Sequence, residues 1–132
     1  TNSRANRFGR VEDYFLHADD EICLLLQVET RAALAQIEAI AAVEGVDGIF
    51  IGPQDLAADF GQLGNPAHPD VQAAMADAIV RIRKTGKAAG ILSFAEADAK
   101  RWIGLGAQFV AVTSDQFLLA RESAAVAAKF RT

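Results

Sequence analysis

Cysteine is almost missing from this chain: Cys23 stands alone among 132 residues. An internal disulfide is therefore excluded and a reducing compartment suits the protein, while the place of Cys23 at the start of an apolar run predicts a buried, inert thiol. Basic clusters are equally scarce. With a net charge of −4 and one dense group, Arg81-Ile82-Arg83-Lys84, the chain lacks a nucleic-acid footprint, and that group reads as the solvated end of a helix. No apolar stretch approaches the roughly 18 residues that cross a bilayer, and no basic-then-apolar leader opens the chain. A soluble cytoplasmic protein with no membrane partner is expected. Histidine is limited to two residues. His17, beside Asp19 and Asp20, reads as a surface residue. His68, between Ala67 and Pro69, has no second ligand at helical or hairpin spacing and reads as a loop or helix-capping residue rather than a metal ligand.

What is abundant is apolar: 52% of the residues are hydrophobic, ample for the core of about one domain. The chain is organised around Leu24-Leu25-Leu26-Gln27-Val28-Glu29-Thr30, an apolar run that ends abruptly in an amide and a carboxylate. Side chains alternate across a strand, so Gln27 and Glu29 share one face and Leu24, Leu26 and Val28 take the packing face. A second run, Gly48-Ile49-Phe50-Ile51, leads into Gly52-Pro53-Gln54-Asp55, one strand-helix-strand unit later. If the two strands are parallel neighbours, Glu29 and Asp55 emerge at one edge of the sheet, within reach of one divalent cation.

Residues 1–10 read as a loop, and Val11 to Asp20, with Val11, Tyr14 and Phe15 at helical spacing, as a short amphipathic helix. Thr30 is placed to cap a helix whose buried side is Ala33, Leu34, Ile37, Ile40 and Ala41, stopped by Gly45. Pro53 suits the first turn of a brief helix through Leu56, Ala57 and Phe60. After a loop rich in Gly and Pro, Asp70 to Thr85 is the clearest helix, with Val71, Ala74, Met75, Ala78, Ile79 and Ile82 in one stripe and Gly86 as terminator. Lys87 to Leu92 is a third strand, poor in bulky groups, where another backbone or a ligand comes close. Ser93 is expected to cap a helix from Phe94 to Leu105 that packs Trp102 and Ile103 on the sheet. Phe109 to Thr113 is a fourth strand, and Gln116 to Phe130 a last helix capped by Asp115.

Strand and helix thus alternate four times with apolar strands and long crossovers, which predicts a parallel sheet covered by helices. Four strands alone leave two edges bare. The simplest resolution is an α/β fold of the (β/α)8 TIM-barrel type, of which this chain holds roughly the last four units. On that reading residues 1–132 are the C-terminal half of one barrel domain, with residues 1–21 an active-site loop and short helix and residues 22–132 the four β/α units. Active sites of such barrels form at the carboxyl ends of the strands, where Gln27, Glu29, Asp55 and Thr113-Ser114-Asp115 fall.

Gln27-Val28-Glu29-Thr30, Val43-Glu44-Gly45-Val46-Asp47-Gly48-Ile49-Phe50-Ile51-Gly52-Pro53-Gln54-Asp55-Leu56, Gly64-Asn65-Pro66-Ala67-His68-Pro69 and Gly86-Lys87-Ala88-Ala89-Gly90-Ile91-Leu92 closely resemble the HpcH/HpaI family of metal-dependent pyruvate aldolases. The likeness starts at Ser3 and covers nearly the whole chain. It implies that Glu29 and Asp55 hold a divalent cation (magnesium, manganese or cobalt), that Gln27 contacts the bound 2-oxoacid, and that Leu92 lines the pocket. It also implies that the helix after Gly52 and Pro53 presents the amides of Gln54 and Asp55 to the pyruvate carboxylate. The family commonly carries Ala at the Gln54 position, a change that leaves a backbone-amide contact in place. It carries a Trp-Asn pair where Phe8-Gly9 stand, a change that bears on the aldehyde pocket. The arginine that contacts the keto oxygen and the His/Asp pair for proton transfer lie, in the family, on the first half of the barrel. The catalytic residues are thus unknown within this chain, and the polypeptide alone is expected to be inactive. A homohexamer exchanging its last helix is implied as well.

The chemistry explains the donor set. Cleaving a 4-hydroxy-2-oxoacid such as 4-hydroxy-2-oxoheptanedioate into pyruvate and an aldehyde, a step of aromatic-compound catabolism, parks an electron pair on the C2 oxygen as an enolate. A chelated divalent cation stabilises it as a Lewis acid worth several kcal/mol. A lysine Schiff base does the same job, but Lys87 sits at the entering end of its strand. Two carboxylates leave room for two substrate oxygens and a water, and hard oxygen donors favour magnesium or manganese over zinc. For Gln27 a polar role is expected, because an amide buried without partners costs on the order of 1–3 kcal/mol. Two alternatives stay open: a citryl- or malyl-coenzyme A type lyase with the same metal site, and a non-catalytic half-barrel active only with its missing half.

Overall fold

The computed structural model describes residues 3–131, so Thr1 and Asn2 of the expected N-terminal loop and the terminal Thr132 lie outside the described residues. In chain order the elements are α1 (Tyr14–Glu21), β1 (Leu25–Val28), α2 (Arg31–Leu34), α3 (Ile37–Ala41), β2 (Gly48–Ile51), α4 (Pro53–Asp59), α5 (Pro69–Lys84), β3 (Ala88–Leu92), α6 (Glu96–Gly104), β4 (Phe109–Ala111) and α7 (Asp115–Ala128). The four strands form one parallel sheet in the order β1-β2-β3-β4. The order never reverses, as in a barrel wall and unlike a doubly wound sheet.

Register follows from the period of two. Val28, Ile51, Ile91 and Val110 form one row across the sheet, with Leu26, Ile49 and Ala89 in a second row on the same face. Against that face pack Leu34, Ile37, Leu56, Val71, Met75, Ile79, Ile82 and Trp102, which make the core. The opposite face carries the row Gln27, Phe50, Gly90 and Phe109, of which Gln27 and Phe109 are exposed and Phe50 half-buried. One face of the sheet is therefore covered by helices, and the other presents the row that contains Gln27.

Thr30 caps α2, its hydroxyl accepting from the Ala33 amide at 3.1 Å, and His68 caps α5 through Nδ1, which accepts from the Asp70 amide at 3.3 Å. Met75 is core at 1% exposure. Several expectations need correction. The helix after Thr30 is interrupted: Gln36 N–H donates to Ala33 O in a tighter, three-residue turn, which sets Leu34 and Ile37 on the same side. Ser93 does not cap α6. Its amide donates to Ala111 O at 2.8 Å, prolonging the β3 pairing, so the helix starts only at Glu96, with Ala95 at its N-cap. Ile103 is 56% exposed, since its neighbour Trp102 takes the inward direction and adjacent helical residues cannot both face the sheet. Cys23 is exposed because the helix before it, α1, buries no residue and covers nothing; Val11 and Phe15 are exposed too. At α7 the cap is Ser114, accepting from the Phe117 amide at 3.2 Å, and Asp115 is the first helical residue.

The basic cluster at the end of α5 is not merely solvated. Arg81 grips Glu38 of α3 with two bonds, Nε to Oε1 at 2.7 Å and Nη2 to Oε2 at 2.5 Å, and Arg83 donates to Lys87 O at 3.0 Å. The hydrogen bond from Arg81 holds the Glu38 carboxyl well below its ordinary 4.5, at about 2. A depressed carboxylate stabilises the fold above its unfolded pKa and loses that contribution as pH falls toward the folded value. Glu38→Gln should lower the thermal midpoint near neutral pH, and the gap to the unsubstituted protein should shrink below about pH 4.5 and largely close near pH 2. In the core, Ile79→Ala leaves a cavity at a residue with no exposure and should cost about 2–5 kcal/mol in chemical denaturation.

Candidate active site

Parallel pairing delivers all four strand exits to one edge of the sheet. At the exit of β1 the alternation places Gln27 and Glu29 on one side of Val28, which is buried at 1% exposure. The Gln27 amide donates from Nε2 to Glu29 Oε2 at 2.6 Å. Because Val28 stands opposite Ile51, the residue after β2, Gly52, comes up beside this pair. A Cβ built on Gly52 would lie 2.7 Å from both Gln27 Nε2 and Glu29 Oε2. Its φ of −95° is open to any residue, so space, not backbone conformation, requires glycine here.

Gly52 is also the N-cap of α4, and Pro53 at N1 starts that helix without wasting an amide. Gln54 and Asp55 complete the first turn, where a carboxylate complements the positive end of the helix dipole. Buried Pro53, Leu56 and Ala57 anchor the helix. Its last residue, Asp59, accepts from Arg31 N at 2.8 Å and Arg31 Nε at 3.0 Å, which ties α4 to the turn that follows Glu29. The Arg31 backbone amide, then its guanidinium, holds the Asp59 carboxyl below the usual carboxylate range.

Gln27, Gly52, Pro53, Gln54, Asp55 and Leu92, all expected at the site, line one cleft of about 250 Å³ together with Phe50. Glu29 stands beside that cleft through its contact with Gln27 and Gly52. Among the described residues neither Glu29 nor Asp55 is in an ion pair, and no three His, Cys, Asp or Glu side chains converge. His17 is exposed on α1, and His68 is occupied as a helix cap; neither reaches the cleft. Phe50 is the wall residue that sequence reasoning missed, although it lies in register with Gln27 on the same face. A second cleft, of about 190 Å³, lies against the same Pro53, Gln54 and Leu92 and extends to Phe94, Asp98 and Trp102.

Comparison with known proteins identifies this frame. The family model described as HpcH/HpaI aldolase/citrate lyase matches residues 2–121. The chain belongs to the HpcH/HpaI aldolase/citrate lyase family. It is 60% identical over 130 residues to a pyruvate aldolase of Rhizobium etli, covering 98% of this chain and 51% of that protein. It is 56% identical over 128 residues to a 4-hydroxy-2-oxo-heptane-1,7-dioate aldolase of Escherichia coli, covering 97% and 49%. A crystal structure of an HpcH/HpaI family protein from Burkholderia cenocepacia superposes with a TM-score of 0.86 at 35% identity, over 99% of this chain and 51% of that one. The chain spans about half the length of the curated relatives it matches. Its four β/α units are accordingly half of the (β/α)8 barrel of the HpcH/HpaI family.

The Gly52 contact yields a direct test. The two shortest contacts are to the far ends of flexible side chains and the third is to Glu29 Cβ at 3.0 Å, so Gly52→Ala should fold with a small local shift at Glu29 and push Gln27 and Glu29 apart. Circular dichroism should be unchanged, while the structure of the variant should show the 2.6 Å bond from Gln27 Nε2 to Glu29 Oε2 lost.

Proposed function

We propose that this chain supplies the metal- and pyruvate-binding half of a class II aldolase that cleaves 4-hydroxy-2-oxoacids to pyruvate and an aldehyde. The observation that carries the reading is the cluster at the carboxyl edge of the sheet. Gln27 and Glu29 are joined over Gly52, and Asp55 follows in the first turn of α4 on the same cleft. The donor chemistry fits a hard divalent cation: two carboxylates that, among the described residues, are free of ion pairs and have no thiolate or imidazole in the cleft beside them. Glu29 and Asp55 would hold it, with magnesium, manganese or cobalt as candidates. Bound there, such a cation supplies Lewis acidity for the negative charge that develops on the keto oxygen, worth several kcal/mol.

The remaining roles belong to the protein. Gln27 spends one N–H on Glu29, fixing that carboxylate, and keeps a second N–H for an oxygen of the 2-oxoacid. The first-turn amides of Gln54 and Asp55, at the positive end of α4, receive the substrate carboxylate. Phe50 and Leu92 give the cleft apolar walls that limit water. In cleavage the C3–C4 bond breaks and its electron pair moves toward C2–C3, leaving charge on the C2 oxygen. The C4 hydroxyl loses its proton as the aldehyde carbonyl forms, and a proton delivered to C3 completes pyruvate. By the family resemblance, moving those protons and contacting the keto oxygen with an arginine belong to the other half of the barrel.

A cytoplasmic homo-oligomer, a hexamer by the family resemblance, belongs to the same proposal. The solitary cysteine suits that compartment, and α7, with no buried residue of its own, offers Leu118, Leu119 and Val126 to a neighbouring subunit.

With the remaining four β/α units present, a chelator should abolish aldol cleavage, and added manganese or magnesium should restore it. In Glu29→Ala or Asp55→Ala the metal should no longer restore turnover, a loss of at least about a hundredfold in kcat/KM. Near-normal turnover in either variant would refute the assignment of the cation to these two side chains.

A further inference from the structure

Glu29 and Asp55 stand on the two arms of a closed loop of chain. At one end the Gly52 amide donates to Val28 O at 3.0 Å, continuing the β1–β2 pairing just past the strands. At the other end the Asp59 carboxylate accepts from the Arg31 amide at 2.8 Å and from Arg31 Nε at 3.0 Å. One arm runs from Val28 to Arg31, and the other is α4. Both are stiff: in α4 the Leu56 amide donates to Gly52 O and the Phe60 amide to Leu56 O, and Thr30 O already accepts from the Leu34 amide. Arg31 also lays its guanidinium over the Phe60 ring, 5.4 Å from the centroid, and Phe60 packs against the core. The outer closure is thus moored to buried structure.

Asp55 and Asp59 are four residues apart on one helix and so lie on one face of it, one above the other. The bond from Arg31 to Asp59 turns that face, and Asp55 with it, toward the stretch of chain that leaves Glu29. In the aldolase reading, on which this inference rests, these two carboxylates hold a divalent cation. Water and substrate oxygens adapt to whichever ion is bound, whereas the two protein carboxylates are placed by the chain. Neighbouring oxygens of an octahedral shell are about 3 Å apart on magnesium and about 0.5 Å further apart on calcium. A pair held at one spacing favours one size of ion, and a pair free to spread does not.

We propose that Asp59, acting through the Arg31 amide, is a positioning residue that holds the Glu29–Asp55 spacing and so makes the site choose a small cation over a large one.

Two substitutions open the loop from opposite sides, so that a failure of one to fold leaves the other to decide. Asp59→Ala removes the acceptor. Arg31→Pro removes the donor amide at the first position of α2, where proline is accepted and where Thr30, with φ −136° and ψ 156°, suits a following proline. Arg31→Ala keeps the amide and is the conservative variant. With the remaining four β/α units present, manganese binding is followed by the paramagnetic resonance of the free ion, and magnesium and calcium are read by competition with it, without any turnover. The unsubstituted protein should bind magnesium more tightly than calcium. Asp59→Ala and Arg31→Pro should each lower that preference about tenfold, the scale on which groups that orient metal ligands act, and Arg31→Ala should keep most of it.

A link that serves stability alone would weaken both ions alike and leave their ratio unmoved; that result overturns the proposal, as does an unsubstituted protein without a preference. Glu29→Ala separates this inference from the reading beneath it. Manganese bound as tightly in Glu29→Ala overturns the metal assignment itself. Manganese lost there, with the ratio of magnesium to calcium unmoved in Asp59→Ala or Arg31→Pro, overturns the positioning role alone.

Discussion

Everything in this chain depends on four strands being held parallel in a register that keeps one parity of side chains toward the helices. Val28, Ile51, Ile91 and Val110 line up on that side, and burying them against Leu34, Leu56, Ile79 and their neighbours is the main source of stability. A slip of one residue in β1, β2 or β4 would turn its apolar set outward and bring Gln27, Phe50 or Phe109 toward the core. The register that secures the core therefore also fixes where Gln27, Glu29 and Gly52 meet. Packing and chemistry are two readings of one alternation.

Two glycines show how tightly the far side of the sheet is built. Gly90 lies between Phe50 and Phe109 in the row across the strands, and a Cβ there would stand 2.7 Å from Phe50 Cδ2. Its absence lets the two rings meet with centroids 5.7 Å apart. Gly52 does the same for polar groups, leaving room for the Gln27 amide to meet the Glu29 carboxylate. In both places a side chain, not a strained backbone, occupies the space that glycine leaves. At Gly90 of β3, where a backbone or a ligand is expected to come close, it is the rings of Phe50 and Phe109 that do so.

The site is anchored by contacts that are far apart in sequence. Asp59 at the end of α4 holds the Arg31 amide after Glu29, so the two strand exits that carry the acidic residues are tied by a hydrogen-bonded brace outside the cleft. Arg81 and Glu38 brace α5 to α3 in the same manner. The first link keeps the carboxyl edge in shape although α4 is a helix of only seven residues, while the second lies toward the opposite edge, where α5 ends ahead of β3. The carboxyl edge carries two adjoining clefts of different character, one flanked by Glu29 and Asp55, the other largely apolar with a lone acid.

Much of this was legible in the residues themselves. Alternation in Leu24 to Thr30 put Gln27 and Glu29 on one face, Thr30 and His68 announced helix starts, and the stripe from Val71 to Ile82 marked the longest buried helix, because these signals depend on neighbours within one or two turns. Long-range arrangement decided the rest. Cys23 is exposed because α1 covers nothing, and Ser93 is drawn into pairing with β4 instead of capping α6. Phe50 and Asp98 become walls of clefts only once strands and loops distant in sequence lie side by side. Periodicity fixes which way a residue faces, but what stands opposite it is set by the burial and hydrogen bonding of the whole sheet.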